Sequence, residues 1–508
     1  MLAKLHSAAC CGIEALPVEI EVDVSEGGFE KPVIVGLPDA AVRESVLRVY
    51  SAIENSGYNF PRHRTVINMA PADLKKEGPA YDLPIALGML LADRSIQSDL
   101  ENRYMVMGEL ALDGRVRPIN GALSVALLAR QKGFAGLILP AANAAEAAVV
   151  DGVDVIPVAS LSQGAGVLTG DLPLDPVELD IDQIFRTSRR YDVDFAEVRG
   201  QDHVKRALTI GAAGGHNLLM IGPPGSGKTM LAKRLPTILP PLTLPESLET
   251  TRIHSVAGEL PRELSLLGTR PVRTPHHSAS IASLVGGGTV PKAGEVSLAH
   301  FGVLFLDELP EFARPALEAL RQPLEDGTVT IARATSTVTF PASFMLVAAM
   351  NPCPCGYLTD AKRQCNCHAL QVERYMSRIS GPLVDRIDIH VEVPAVSFHA
   401  LRGEGTGTSS AEMRSQVLTA RSRQLRRFAG DSTKTNATMS GRHLRRWCQL
   451  DDTGETVLQQ AMAELGLSAR AHDKVLRVAR TVADLAERDA IVADDLLEAI
   501  HFRKLDRR

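Results

Sequence analysis

The chain has 508 residues, 45% of them hydrophobic and 23% charged, with a formal net charge of −5. That length exceeds one hydrophobic core and implies about three domains of ordinary globular composition. A negative total excludes a global field for nucleic acid, so any such contact needs a local patch. Met1–Gly12 has no charged segment leading into a long apolar one, and the apolar stretch Leu83–Ala92 holds Pro84 and is too short for a bilayer. A cytoplasmic protein with no membrane partner is expected.

Residues 1–170 alternate strand-like runs (Ile20–Val24, Thr65–Met69) with helical ones (Asp39–Ser56, Leu83–Ala92), the texture of an α/β or α+β unit. Residues 171–197 are rich in Pro and acidic side chains (Asp171, Asp175, Glu178, Asp180, Asp182) and read as a linker or as an edge segment packed on a neighbour. In residues 198–398, Leu218–Ile221, Val303–Leu306 and Phe344–Ala349 have the length and apolarity of buried parallel strands. After a Gly/Ser/Thr linker at Gly403–Ser410, residues 411–508 are helical by period, most clearly at Thr453–Leu465, Ala469–Ala486 and Val492–Phe502.

Gly222, Pro223, Pro224, Gly225, Ser226, Gly227, Lys228 and Thr229 satisfy the Gly-x4-Gly-Lys-Thr pattern between an apolar run and a helix start. Glycines let the backbone curl so that N–H groups face phosphate oxygens of ATP; Lys228 adds the cation, and Thr229 a hydroxyl for Mg²⁺. Val303–Leu306 delivers Asp307 and Glu308 to a strand end, where Asp307 suits Mg²⁺ and Glu308 suits the general base on water. Asn351 ends a third apolar run, either to orient water or γ-phosphate or as an Asx turn.

These segments, with Gly200-Gln201, Arg273–His277, Asn351–Gly356 and Asp385–Asp388, resemble the magnesium-chelatase-like branch of the AAA+ ATPases, and within it the ComM/YifB family. The resemblance covers essentially the whole chain. It implies a P-loop AAA+ core, a helical C-terminal lid and a homo-oligomeric ring, usually hexameric, with ATP between subunits. It makes Asn351 the sensor 1 residue, Arg386 the arginine finger (with Arg378 as competitor), Arg470 the sensor 2 arginine in cis, and Gln201 a neighbour of the adenine. Residues 1–170 resemble the Lon protease-like fold, shared with a ribosomal-protein domain. Ala80 and Leu123 stand where that fold carries its serine and lysine, so a scaffold without peptidase chemistry is expected.

Within residues 353–368, Cys353, Cys355, Cys365 and Cys367 form two tight pairs, a set suited to tetrahedral Zn²⁺, with His368 as a substitute ligand; reduced thiols used as small apolar side chains are the alternative. Lys362 and Arg363 would give this knuckle a basic tip. From Glu412 to Cys448, nine basic residues face two acidic ones, which suits phosphate binding, a solvated helix face or inter-subunit salt bridges. Glu325–Phe340 reads as a hairpin with Arg333 near its turn, and the resemblance places such a hairpin in a ring pore, with Arg273–His277 and Gly286–Gly288 as a second pore loop. The leading expectation is a motor on branched or single-stranded DNA, driving branch migration in natural transformation and recombination, with recombination proteins as further partners. The alternatives are a chelatase motor subunit that inserts metal into a tetrapyrrole, and an ATP-dependent Lon-like protease, which Ala80 and Leu123 argue against.

Overall fold

The computed structural model describes residues 1–25, 27, 31–187, 191–288, 291–333, 337–360, 363–395, 407–431 and 433–503. It separates into two compact units, Met1–Ser188 with Leu244–Gly268, and Arg189–Thr243 with Thr269–Arg508. Residues 244–268, which the sequence places in the 198–398 region, thus pack with the first unit.

The first unit contains β1 (Leu2–Cys11), β2 (Glu14–Ser25), β3 (Val33–Val35), β4 (Arg64–Ala70), β5 (Tyr104–Val106), β6 (Glu109–Leu110), β7 (Val116–Arg117), β8 (Gly136–Pro140) and β9 (Asp154–Val158). Seven of them form one sheet in the order β3-β4-β2-β1-β5-β8-β9, while β6 and β7 pair separately. β1, β2 and β4 pair antiparallel, and β5, β8 and β9 run parallel. Alternation in β2 buries Val18, Ile20, Val22 and Val24, as a sheet with one covered face requires. Asp39 caps the helix Ala40–Asn55 by accepting from the Val42 N–H at 2.8 Å.

The helix Asp82–Ala92 is buried along its whole length. Its Asp82 carboxylate accepts from Arg48 Nε at 2.7 Å, from the Ser45 hydroxyl and from the Leu110 N–H at 3.3 Å. Burial nevertheless holds its pKa above the usual carboxylate range. Glu146 is similarly enclosed. It accepts from the Leu123 N–H at 2.9 Å, from Asn143 at 3.3 Å and from Ser255 of the helix Leu244–Ala257, and burial again raises its pKa. Ala80 and Leu123 meet in one apolar cluster. Part of the acidic stretch lies along this unit: the Val177 N–H donates to the Val155 carbonyl at 3.0 Å.

The second unit holds β10 (Leu218–Ile221), β11 (Val272–Arg273), β12 (Gly286–Gly287), β13 (Lys292–Ala293), β14 (Val303–Leu306), β15 (Thr328–Ala332), β16 (Thr337–Pro341), β17 (Met345–Met350) and β18 (Ile389–Glu392). Its main sheet is entirely parallel, in the order β11-β14-β17-β10-β18. β10, β14 and β17 are buried at every residue, which explains their unbroken apolar sequences. β15 and β16 form an antiparallel ribbon that buries Val329, Ile331, Val338 and Phe340 and exposes Thr330 and Thr339; Arg333 follows β15, and residues 334–336 lie outside the described ones.

The C-terminal region is helical: Ser410–Arg427, Gly441–Trp447, Asp452–Leu465, Ala469–Leu485 and Ala493–His501. Several of its arginines serve the fold. Arg427 donates to Asp484 at 2.7 Å, Arg423 pairs with Asp484 at 3.8 Å, and Arg421 donates to the Ala212 carbonyl at 3.1 Å. Lys474 reaches Asp388 at 2.8 Å, and Asp388 also meets His216 at 3.2 Å. Arg426, Lys434, Arg442, Arg445 and Arg446 are exposed. Among the described residues, no helix is long and apolar enough to cross a membrane.

Candidate nucleotide site and cysteine cluster

Because β10, β14 and β17 are neighbours in a parallel sheet, their carboxyl ends open onto one edge, at the point where the order reverses around β10. The glycine-rich loop leaves β10 there. A Cβ on Gly222 would sit 2.1 Å from the Val393 carbonyl oxygen, so only glycine fits. Lys228 opens the helix Lys228–Arg234 and is 8% exposed. Its Nζ donates to the carbonyls of Gly222 and Pro223 at 2.8 and 3.0 Å, and to Asn351 Oδ1 at 3.3 Å. Burial lowers its pKa, with Asp307 and Glu308 acting in the opposite sense.

Thr229 Oγ1 donates to Asp307 Oδ2 at 2.6 Å, and the other Asp307 oxygen accepts the Glu308 N–H at 2.9 Å. Glu308 has φ 52°, a left-handed backbone that costs a non-glycine residue about 1 kcal/mol or more. That turn sends its exposed carboxylate toward His277 Nδ1, 3.2 Å away. His277 is the residue that sequence reasoning missed; its one signal was the paired histidines of Arg273–His277. Arg273, at the start of that segment, ends β11 and forms a two-point ion pair with Glu295 at 2.6 and 2.9 Å. Gln201, also left-handed at φ 59°, donates to Ser226 O at 2.8 Å and to Pro394 O at 3.0 Å, tying the loop to the chain beyond β18.

The candidate arginines lie apart from this group. Arg386 is paired with Glu325 and donates to the Pro382 carbonyl at 2.6 Å; its side chain is 11% exposed, and its Nε has no partner among the described residues. Arg378 pairs with Glu311 at 3.0 Å. Arg470 is exposed in the first turn of Ala469–Leu485. No hydrogen bond or ion pair among the described residues joins any of the three to the glycine-rich loop.

Beyond Asn351, the Sγ atoms of Cys353, Cys355, Cys365 and Cys367 all lie within 4.8 Å of one another. Three of the separations are 3.4, 3.5 and 3.7 Å. A tetrahedral site with Zn–S bonds of about 2.3 Å has edges of about 3.8 Å, so the four thiols fit that ion. Backbone N–H groups of Tyr357 and Asn366 pull the Cys355 thiol down to about 6. His368 stays outside and caps the helix Ala369–Met376. Arg363 donates to the Tyr357 hydroxyl at 2.7 Å with its guanidinium 5.1 Å above that ring. Lys362 lies outside the described residues.

A glycine-rich loop with an invading lysine, opposite paired strand-end carboxylates on a parallel sheet, defines a P-loop ATPase core of the AAA+ type. The sequence family described as magnesium chelatase, subunit ChlI, matches residues 194–401; related families described as subunit ChlI of Mg-chelatase and as the subunit ChlI C-terminal region match 20–143 and 407–503. The competence protein ComM of Haemophilus influenzae is 44% identical over 513 residues, spanning 100% of this chain and 98% of that one. The YifB proteins of Salmonella typhimurium and Escherichia coli are 43% and 42% identical, also over 100% of this chain and 98% of theirs. The chain belongs to the magnesium-chelatase-like ComM/YifB family, and it is an ATPase of that family, for which ATP and Mg²⁺ are implied.

Proposed function

We propose that this chain forms a ring, most simply a hexamer, in which Mg²⁺-dependent ATP hydrolysis moves branched or single-stranded DNA and drives branch migration during natural transformation and homologous recombination. The observation that carries the chemistry is the convergence of Lys228, Thr229, Asp307, Glu308 and Asn351 at one sheet edge. The residues fit their ligands. Lys228 is an ammonium resting on carbonyls, ready to exchange them for β/γ-phosphate oxygens, and the buried Ser226 hydroxyl has no partner among the described residues. Thr229 and Asp307 present adjacent oxygens suited to a small hard cation. Mg²⁺ there would neutralise charge on the phosphates.

In this reading Glu308 takes the proton of the attacking water, and His277 orients the carboxylate. Asn351 fixes Lys228 and polarises the γ-phosphate. Arg386 leaves Glu325 to reach the site of the next copy, where a cation stabilises charge developing in the transition state. Arg470 closes from the lid, and Gln201 borders the base. Cys353, Cys355, Cys365 and Cys367 hold a structural Zn²⁺. The Lon-like first unit serves ring assembly or admits a recombination partner. DNA is favoured as the substrate by the competence name of a 44% identical relative, by the ribbon that ends in Arg333, and by the exposed Arg426, Arg442, Arg445 and Arg446. Such contacts grip backbone phosphates and position the strand without reading bases. The setting for this work is the cytoplasm.

The test is phosphate release and strand exchange on a branched DNA, comparing wild type with Lys228→Ala and Glu308→Gln. DNA-stimulated hydrolysis that falls steeply with salt, and branch migration lost in both variants while DNA binding persists, are expected. Hydrolysis indifferent to every DNA form sinks the DNA reading. The chelatase names of the matching families favour a second reading as the motor subunit of a metal insertase, which copurification of a tetrapyrrole-binding partner would support.

A further inference from the structure

The cysteine cluster and the nucleotide loop touch at two points. Asn351, at the end of β17, accepts from Lys228 at 3.3 Å. Five residues along the chain, Gly356 takes φ 85°, and a Cβ there would lie 2.6 and 2.7 Å from Cδ and Cγ of Pro224. Between these contacts sit Cys353, fully buried, and Cys355. Segment 351–356 is therefore a short brace pressed against the glycine-rich loop at both ends, and Gly356 is required because a side chain would push Pro224 aside.

Within the segment itself, the Gly356 N–H donates to the Cys353 carbonyl at 3.0 Å, a tight turn that aims both thiols the same way. The second pair, Cys365 and Cys367, follows residues 361–362, which lie outside the described ones. Without an ion, the two halves meet through weak S–H contacts and through backbone N–H groups of Asn366 and Cys355 aimed at the thiols of Cys355 and Cys367. One tetrahedral ion would replace the S–H contacts with four bonds and fix residues 351–356 relative to the returning strand of chain. The second half then anchors to the helix Ala369–Met376, which starts directly after the last thiol.

We infer that a Zn²⁺ held by Cys353, Cys355, Cys365 and Cys367 is a metal-dependent brace of the ATP site, setting Asn351 against Lys228 and Gly356 against Pro224. The inference rests on the reading of Gly222–Thr229 as the ATP loop. The knuckle thus supports the adjoining loop, and its metal content governs nucleotide affinity.

The experiment uses the full-length chain. Zinc is counted by elemental analysis after exhaustive dialysis, and binding of a fluorescent ATP analogue in Mg²⁺ buffer is titrated before and after stripping with a chelator under reducing conditions, then after zinc is restored. About one zinc per chain is expected. Stripping should weaken analogue binding about tenfold or more, because small misplacements of positioning groups are costly, and zinc should restore it. Pro224→Ala should keep the zinc yet bind the analogue more weakly. Cys365→Ser should lose both; should that variant misfold, as judged by circular dichroism, the reversible stripping decides. A protein that retains no zinc, or one that binds the analogue equally well when stripped, overturns the inference. Should Lys228→Ala bind the analogue as tightly as wild type, the ATP-site reading fails instead, and the two failures are told apart.

Discussion

Both units mix strands with helices and both bury carboxylates, yet they use them differently. In the first unit the enclosed Asp82 and Glu146 carboxylates are fully engaged: Asp82 is met by Arg48, Ser45 and the Leu110 N–H, and Glu146 by Leu123, Asn143 and Ser255. In the second unit the groups at the sheet edge are left with capacity. Lys228 rests on carbonyls, Ser226 Oγ has no partner among the described residues, and Glu308 and Gln201 hold left-handed backbones. Burial of charge is common to both, so it does not mark chemistry. Polar groups and strained backbone that converge on one shared opening do.

The sharpest way to test this contrast is Arg386→Ala. If Arg386 serves a neighbouring copy, phosphate release should fall about 10⁴-fold while ATP binding persists. Mixing Arg386→Ala with Lys228→Ala subunits should then recover activity, because some interfaces regain both groups. A variant that loses activity only with its fold, or that mixing never rescues, would return Arg386 to its pairing with Glu325 as a structural residue. Glu308→Gln should cost about 10³-fold in turnover with nucleotide affinity kept, as loss of a general base does.

In the first unit the expected effect is on stability alone. Asp82→Ala leaves Arg48 without its buried partner and should destabilise that unit by about 3 kcal/mol, measured by calorimetry, without changing ATP affinity. A large fall in hydrolysis with no loss of stability would break the contrast. His277→Ala should reduce turnover about tenfold, since it removes only the group that orients Glu308. The reduction should vanish in a Glu308→Gln background.

What could be read beforehand was whatever is local in the chain. Lys228, Thr229, Asp307, Glu308 and Asn351 are each announced by an apolar run that ends at them, and a buried parallel strand must be such a run. The pairing of His277 with Glu308 joins distant segments through a left-handed turn, which no local pattern encodes. Counting charge from Glu412 to Cys448 likewise could not separate Arg421, turned inward to Ala212, and Arg423 and Arg427, turned to buried Asp484, from Arg442, Arg445 and Arg446, which face solvent. Residues 244–268 sit between segments of the second unit, and their packing with the first shows in contacts such as Arg252 to the Ile13 carbonyl and Ser255 to Glu146.

The smallest expected effect is a divergence of the two units with pH. Burial raises the folded-state pKa of Asp82 and Glu146 above the unfolded values near 4, so the folded first unit binds protons more readily. Its stability therefore gains as pH falls through those raised values. Asp388 in the second unit is opposite. Burial alone would raise it, but Lys474 and His216 outweigh burial and hold it well below the usual range. Its contribution is complete above about pH 4 and is lost as pH falls below that value. Acidification from neutrality toward pH 3 should thus lower the melting transition of the second unit more than that of the first. Limited proteolysis should cleave Arg189–Thr243 and Thr269–Arg508 first. Asp388→Asn should flatten the acid loss in the second unit while lowering its stability at neutral pH. Equal acid sensitivity of both units would show that saturation of buried carboxylates, not their partners' charge, sets the response.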